Sequence, residues 1–578
     1  MPEEEFQLMI YGVSDDWDVK LADESEVSIL DRHFVDNPRY LFLDIRIPKR
    51  FEGSSIPLEF SDGTITFKLS YPLLKRDESP NIHRGVTSSD LIYLIFPDRF
   101  ANGNKENDID LGMTDKRVNR DSLKTRHGGD IQGIRDKLFH FRDLGATALW
   151  INPLLTNDQP WESYHGYAAT DHYQIDPRFG TLEEYKALVD ECHRSGIKVI
   201  IDIVFNHVGD NHHLIKNLPS KDWIHIWPEF QRTSYRAPTL MDPYASEADK
   251  KIMTDGWFDH HMPDLNQQNE LLANFLIYSS IWWIEMTGID AYRIDTYAYS
   301  DAEFMANWAK VIKKYYPKFT FFGETWVHGT PIQAHFTQNN NMNSDFNTEL
   351  PGVTDFQLYY AINDALTKPQ GWTDGMAKLY YTLAKDFVYE DPNRNVLFLD
   401  NHDLGRFYSM IGEDFEKWKM GIGWLMTTRG IPMIYYGTEI LMKGFTDPDA
   451  KVRADYPGGW EGDPVDKFTK EGRSELENEA YDYIKKLANF RKKSNAITRG
   501  KTMQFVPIDG VYVYFRYTDA ETVMVVMNAS EKEVTLDMDR YQERIGNFTT
   551  GKDVDTEAEI SLESLKIGSK KMLILQLN

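Results

Sequence analysis

Val199-Ile200-Ile201-Asp202-Ile203-Val204-Phe205-Asn206-His207 decides how this chain is read. Val199–Phe205 is an apolar, β-branched run of the kind that forms a buried strand. Asp202, Asn206 and His207 are set into its end. A purely structural strand would not carry ionisable groups there, because buried charge is costly unless paired. The signature recurs downstream. Ala291–Ile294 runs into Arg293-Ile294-Asp295, Phe319–Phe322 into Gly323-Glu324-Thr325-Trp326, and Val396–Leu399 into Asp400-Asn401-His402-Asp403.

Leu91–Phe96, Ala148–Ile151 and Met433–Tyr436 are further strand candidates, and Leu182–Arg194 and Asn274–Glu285 have helical spacing. Strand and helix alternating from Ser88 onward predict a parallel sheet. Seven strands are legible, and an eighth is placed near Asn343–Asn347. In a (β/α)8 TIM barrel the strand C-termini converge on one face, so polar groups far apart in sequence would meet in one pocket. Gly209–Asn266 breaks the rhythm, being long, rich in Trp, His and Pro and without a clean period, which predicts a functional loop or an inserted subdomain. Before the barrel, Phe6–Tyr11, Tyr40–Ile47 and Ile65–Leu69 read as strands, the last after the turn signal Ser61-Asp62-Gly63. Lys75–Arg84 reads as a linker. After Gly500 the runs Val511–Tyr517, Thr522–Asn528 and Lys571–Leu577 are again strands. The expected architecture is multidomain α/β. An N-terminal β-sandwich (1–83) precedes a barrel (84–497) with an inserted subdomain B (208–266), and a C-terminal β-sandwich (498–578) follows.

Composition narrows the partners. Lys and Arg total 64 against 90 Asp and Glu, a net charge of −26, which argues against nucleic acid and anionic membranes as partners, since both need basic faces. No apolar run reaches the ~18 residues of a membrane span. The lone Cys192 excludes an intramolecular disulfide and reads as a buried structural residue. The opening Met-Pro-Glu-Glu-Glu has neither a basic nor an apolar leader segment, so the expected compartment is the cytoplasm, or the periplasm after removal of a signal. Aromatic residues are 13% of the chain, with 14 Trp; they would serve either a large core or the stacking of sugar rings.

Taken together and in order, Asp202–His207, Arg293-Ile294-Asp295, Gly323-Glu324 and Phe398–Asp403 resemble the four signature segments of glycoside hydrolase family 13, the α-amylase family. The resemblance runs over about 88–578. The N-terminal domain and Met262-Pro263-Asp264-Leu265-Asn266 are similar to the neopullulanase and cyclomaltodextrinase branch, the pentapeptide being a mixed form between that branch and the oligo-1,6-glucosidases. The resemblance implies a retaining hydrolase of α-1,4-glucans, with Asp295 as nucleophile, Glu324 as proton donor and Asp403 as stabiliser of the transition state. It implies that His165, Tyr167, His207 and His402 line the pocket, with Tyr167 as a stacking platform, and that Trp326 faces the aglycone. Arg293, two residues before Asp295 on one strand face, is expected to hold that carboxylate ionised.

Asn102, Asn104, Asn107 and Asp108, with Gly128 and Asp130 downstream, offer the oxygen-rich loop that suits Ca²⁺, and their spacing resembles the branch's calcium site. A different calcium of the α-amylases, between barrel and subdomain B, is expected to be absent: Asn206 is kept, but the end of the Met262–Asn266 motif is Asn266, and position 299 is tyrosine. Tyr299 and Ala291 depart from the family pattern and leave transglycosylation open. The alternatives are an α-glucanotransferase on the same fold and a non-catalytic glucan-binding scaffold, the latter opposed by retention of the three carboxylates. The resemblance also implies a homodimer formed through the N-terminal domain.

Overall fold

The computed structural model describes residues 5–13, 17–22, 26–48, 53–77, 79, 82–342 and 345–578. Eight parallel strands form the centre: β7 (Ile92–Ile95), β8 (Ala148–Ile151), β9 (Lys198–Val204), β10 (Ala291–Asp295), β11 (Thr320–Gly323), β12 (Gly352–Val353), β13 (Val396–Leu397) and β14 (Ile431–Tyr435). They run in sequence order from β7 to β12, and β14 and β13 continue from the other side of β7. The parallel bridge of Thr354 to Val396 closes the ring. The strands are almost wholly buried because helices cover the outside, which is why each reads as a continuous apolar run.

The eighth strand is not where the sequence placed it. Of Asn343–Asn347, positions 343 and 344 lie outside the described residues, and 345–347 are not strand; the strand is the two-residue β12. Two residues carry no periodicity, so no pattern could mark them. Of the expected linker, positions 78, 80 and 81 lie outside the described residues, as do residues 1–4.

The N-terminal domain packs two three-stranded antiparallel sheets, β1–β4–β3 and β2–β5–β6. These strands are β1 (Glu5–Tyr11), β2 (Asp18–Leu21), β3 (Ser28–Phe34), β4 (Tyr40–Arg46), β5 (Ser55–Ser61) and β6 (Thr66–Pro72). Strand β4 serves two cores through its period of two. Leu41, Leu43 and Ile45 enter the domain's own core, whereas Tyr40 and Phe42 pack on the barrel, Phe42 at 5.9 Å from Trp223. The stretch Ile65–Leu69, read as a strand, falls largely in β6, an edge strand exposed along its whole length. Phe67 and Leu69 are 44% and 48% exposed, although one face of the Phe67 ring stacks on Phe60 with centroids 4.8 Å apart.

In the C-terminal domain the six-stranded sheet is assembled from residues 501–508, 511–517, 522–528, 571–577, 550–553 and 559–561 in that spatial order. A two-stranded ribbon, 534–535 with 566–567, accompanies it. Alternation again divides one strand between two cores: Tyr512 and Tyr514 face the barrel, and Val511, Val513 and Phe515 face the domain's interior. Arg491 locks this side of the barrel by donating to the Met426, Ser88 and Gly430 carbonyls. The insertion after β9 holds only short helices and isolated bridges among the described residues, the longest helix being Glu247–Asp255. No described helix is long and apolar enough to cross a membrane. Cys192 is buried, and burial pushes its thiol well up, the property of an unreactive side chain.

Candidate active site

The C-terminal ends of β9, β10, β11 and β13 bring the signature residues to one face. At their centre is Arg293, buried to 2% side-chain exposure. Its Nη1 donates to Asp202 Oδ1 at 2.8 Å and to Asp295 Oδ1 at 2.6 Å, and its Nη2 lies 2.9 Å from Glu324 Oε2. One guanidinium therefore answers three buried carboxyls. Arg293 does pair with Asp295, but its charge is divided, because the β10–β9 register sets Arg293 opposite Asp202 as well.

That division governs protonation. Burial pushes the Asp295 and Glu324 carboxyls up, Arg293 pulls both down, and nearby carboxylates push them up again. Asp202 is also raised, by burial first and against Arg293. Three carboxylates around one cation cannot all stay ionised out of water, so the cluster retains a proton well above the ordinary carboxylate range.

Local backbone aims the groups. Thr296, immediately after Asp295, is a β-branched residue at φ +46°, a conformation that costs free energy and is kept only where surroundings enforce it. The turn points the Thr296 N–H at Glu324 Oε2, 3.0 Å away. The Glu324 N–H in turn donates to the Ile294 carbonyl at 2.8 Å. Gly323 is required just before it, because a Cβ there would meet the Tyr297 ring at 2.7 Å.

Asp403 lies on the same face at 24% side-chain exposure. Arg453 Nη2 donates to its Oδ1 at 2.9 Å, and His402 Nε2 lies 3.3 Å from its Oδ2. Burial pushes Asp403 up, but His402, Arg453 and Arg293 together outweigh it, and the carboxyl sits below its ordinary value. Burial lowers His207 and His402 to about 3 and holds His165 well below its ordinary value, so all three rings are neutral. Tyr167 is fixed by its hydroxyl, which donates to Asp202 Oδ2 at 3.0 Å and meets His402 Nε2 at 2.7 Å, and its ring stacks on His402 with centroids 5.4 Å apart. The Tyr167 N–H donates to His165 Nδ1 at 2.9 Å. Trp326 is 44% exposed, stacked on Phe356 and held by its Nε1–H on the Tyr360 hydroxyl at 2.8 Å.

Sequence reasoning missed Arg453 as part of this face and left Asp202 without a role. Asp202 takes Trp150 Nε1–H at 2.9 Å as well as Arg293 and Tyr167, so it positions both. Its place inside an otherwise apolar strand was the available signal. Nothing in the local sequence of Arg453 pointed to Asp403.

The calcium candidates divide. Asn102 Nδ2 donates to Asp108 Oδ1 at 2.7 Å, and a Cβ on Gly128 (φ +88°) would meet both side chains. The buried Oδ1 atoms of Asn102 and Asn107 have no hydrogen-bond partner among the described residues, as a set of oxygen donors for a hard cation would leave them. Asp130 instead accepts from the N–H groups of Gly103, Asn104 and Gly133, capping the helix Ile131–Asp136; burial lifts it to about 6. Asn104 Oδ1 accepts from the Glu106 N–H at 3.1 Å.

The argument against the other calcium rested on Asn266, and the structure relocates it. Asn266 turns away, its Nδ2 donating to the Asp222 carbonyl at 2.9 Å. Asp264 meets the Asn206 side chain instead, the His207–Asp264 bridge bringing the two segments alongside each other. Asp264 Oδ1 and Asn206 Oδ1 are both buried without a partner among the described residues, and burial pushes Asp264 up to about 7. A carboxylate is thus present where its loss was the reason for expecting no ion.

Residues 94–470 match the family described as alpha amylase, catalytic domain; residues 1–77 and 502–576 match the N-terminal and C-terminal domains of cyclomaltodextrinase. A cyclomaltodextrinase of Thermoanaerobacter pseudethanolicus is 29% identical over 459 residues, 77% of this chain and 71% of that protein. A cyclomaltodextrin glucanotransferase of Geobacillus stearothermophilus is 28% identical over 84% of this chain and 67% of its own length. A β/α-amylase of Paenibacillus polymyxa is 29% identical over 80% of this chain, which spans only 34% of that longer protein. The crystal structure of an α-amylase from Geobacillus thermoleovorans superposes with a TM-score of 0.69 at 28% identity, covering 85% of this chain and 98% of the other. Barrel, strand-end carboxyls and these likenesses define a glycoside hydrolase. The chain belongs to the α-amylase family, in its neopullulanase and cyclomaltodextrinase branch.

The shared guanidinium makes a signed prediction. Asp202 raises both Asp295 and Glu324. In Asp202→Asn that push disappears, Glu324 loses its proton at lower pH, and the alkaline limb of kcat/KM should move down by ~0.5–1 unit. Tm should fall as well, since an amide nitrogen against the Trp150 and Tyr167 donors leaves them unpaired, at about 1–3 kcal/mol. A pH–rate profile with an unmoved or rising alkaline limb contradicts the arrangement.

Proposed function

We propose that this enzyme is a retaining hydrolase of α-1,4-glucosidic bonds in starch-type glucans, pullulan, cyclodextrins or maltooligosaccharides. The observation that carries the reading is the single guanidinium reaching both Asp295 and Glu324. It supports the short carboxyl separation of retaining pairs, about 5–5.5 Å, over the ~6.5–9.5 Å that leaves room for an inverting water.

Asp295 attacks C1 while Glu324 protonates the departing glycosidic oxygen; the glycosyl ester on Asp295 is then cleaved by water that Glu324 deprotonates. The proton kept by the cluster belongs on Glu324 at the start, and Arg293 stabilises the carboxylate that Asp295 becomes again on release. Asp403, ionised beside Arg453, stabilises the cationic transition state and binds sugar hydroxyls. Neutral His165, His207 and His402 donate and accept hydrogen bonds to the sugar without adding charge.

Product analysis on pullulan, cyclodextrin and soluble starch side by side tests the substrate class; sugar transfer without reducing-end release would make the enzyme a glucanotransferase. Asp295→Asn should lose several orders of magnitude in turnover with its fold intact, and more than about a tenth of wild-type activity remaining would sink the nucleophile assignment. Glu324→Gln should be slow on glucans but comparatively fast on aryl or fluoride substrates, whose leaving groups need little protonation; equal slowing would remove Glu324 from the acid role. Early proton NMR should show the α-anomer.

The loop of Asn102, Asn107 and Asp108 with the Gly128 carbonyl is proposed to hold Ca²⁺, Asn104 and Asp130 keeping its backbone in shape. The ion would neutralise Asp108 and tie this loop to the segment before helix Ile131–Asp136. Chelation should then lower Tm while activity at low temperature stays nearly unchanged, the stabilisation reaching ~2.7 kcal/mol at a hundredfold excess of calcium over its Kd. Asp108→Ala should make Tm insensitive to chelator. Absence of calcium from protein purified without chelator would count against the site, and immediate loss of activity on chelation would give the ion a different job.

A homodimer built on the N-terminal domain is supported by β6, whose exposed Phe67, Leu69 and Tyr71 form the kind of apolar edge that soluble proteins cover. Sedimentation at micromolar concentration should show a dimer, and Leu69→Lys should shift it to monomer; a wild-type monomer refutes this interface.

A further inference from the structure

Two buried histidines outside the catalytic cluster are hydrogen-bonded to one another. His172 lies in the segment after β8. Its carbonyl accepts from Trp283 Nε1–H at 2.8 Å, and its ring meets Phe275 edge to face at 5.2 Å. Trp283 and Phe275 both belong to the helix Glu270–Thr287. His212 belongs to the inserted segment, as N-cap of the short helix His213–Lys216. His172 Nδ1 lies 3.0 Å from His212 Nε2, and both residues are buried. His212 Nδ1 accepts the Leu214 N–H at 3.1 Å, so the ring proton of His212 is on Nε2, which donates to His172 Nδ1. A proton added to either ring would set two N–H groups face to face: His212 Nδ1–H against Leu214, or His172 Nδ1–H against His212.

Nothing nearby offsets the added charge. His213 stacks on His212 with centroids 4.5 Å apart and adds repulsion. Asp171, next in sequence to His172, accepts from the Tyr173 N–H instead. Burial, and then His213, lower His172 to about 3; burial, His172 and His213 hold His212 well below its ordinary value, and no carboxylate acts on either ring. The cavity beside the pair, lined by Val208, Leu214, Trp223, Leu265 and Phe275, holds about 10 Å³, the lower limit for one water. The turn that the pair secures is also the seat of the N-terminal domain. Asn37, between β3 and β4, donates its N–H to the Pro219 carbonyl at 2.9 Å, and its Nδ2 to Asn217 Oδ1 and to the Leu218 carbonyl at 2.9 Å each. Asn217 Nδ2 donates to the Tyr11 hydroxyl, and the Trp223 ring stands between Phe42 of β4 and Phe275.

We propose that the His172–His212 pair is an acid-released latch: protonation of the two rings frees the turn Gly209–Lys216 from the barrel and, through Asn217–Pro219, unseats the N-terminal domain. In the open form the rings are hydrated and titrate near ~6.5, above their values in the closed form. The latch is therefore fully closed above about pH 6.5 and loses its advantage as pH falls from there toward about 3. Two rings that each take up one proton make the release steep. The geometry also places the break: it falls where the inserted segment and the N-terminal domain join the barrel, and the barrel's own strands take no part in it.

Hydrogen exchange read by mass spectrometry on the intact chain, from about pH 7 to about pH 4.5 and corrected for the intrinsic pH dependence of exchange, tests the latch. Protection of 209–218 and of 37–42 should fall together and reversibly, by up to about a hundredfold per pH unit below about pH 6, the slope that two protons give, while β7 to β10 stay protected. His172→Gln keeps an acceptor for His212 Nε2–H, and His212→Asn keeps an N-cap for Leu214. Each removes one titrating ring and should reduce the slope to about tenfold per unit. In the double variant protection of both segments should not change over this range. Unchanged protection of 209–218 in wild type overturns the proposal whatever the variants do, as does loss of protection there no earlier than in the barrel strands. A double variant that opens at the wild-type pH and slope assigns the release to other groups and overturns it too.

Discussion

The site is organised by the enclosure of one cation, Arg293, among Asp202, Asp295 and Glu324. Each of these carboxyls would be costly to bury alone, and together they repel one another. The guanidinium makes their burial tolerable, and its planar fork fixes where two of the carboxylate groups can stand. Because one positive charge faces three acids, a proton remains in the cluster, and a retaining pair needs one acid protonated and the other ionised. Stability and catalysis therefore draw on the same ion cluster.

Much of the surrounding structure holds that cluster in place. The parallel register of β9 and β10 sets Asp202 opposite Arg293. Trp150 and Asn152, at the end of β8, donate to Asp202 Oδ2 and keep its other oxygen turned to Arg293. The left-handed turn at Thr296 brings a backbone N–H to Glu324. On the opposite side Arg453 performs for Asp403 what Arg293 does for the pair, but with one principal carboxylate partner, so Asp403 sits low where the pair sits high. Unequal sharing of cations thus separates the protonation of neighbouring acids without any change in residue type.

The two flanking domains attach by the same device. A strand with both faces apolar, β4 on one side and Val511–Tyr517 on the other, gives alternate side chains to its own core and to the barrel. Such attachment leaves the C-terminal face of the barrel free for the inserted segment, whose Phe258 stacks on His207 at the end of β9.

What the sequence determined by itself was the alternation of buried strands and helices and the polar groups at strand ends, because periodicity and the cost of buried charge are local properties that a linear pattern carries. Asp295, Glu324, Asp403, His207 and His402 stood out for that reason, as did seven of the eight barrel strands, whereas His165 and the role of each residue came from the resemblance to the family. The two-residue strand Gly352–Val353 did not, since it is strand only by pairing with β11, with the next residue, Thr354, bridging to Val396. Tertiary structure alone decided that Arg293 is shared among three acids, that Arg453 reaches Asp403 across 50 positions, and that Asp264 rather than Asn266 faces Asn206. It also decided that the alternating strand β6 buries neither face. These are matters of register and of which surfaces meet, and the chain settles them only when distant segments close on one another.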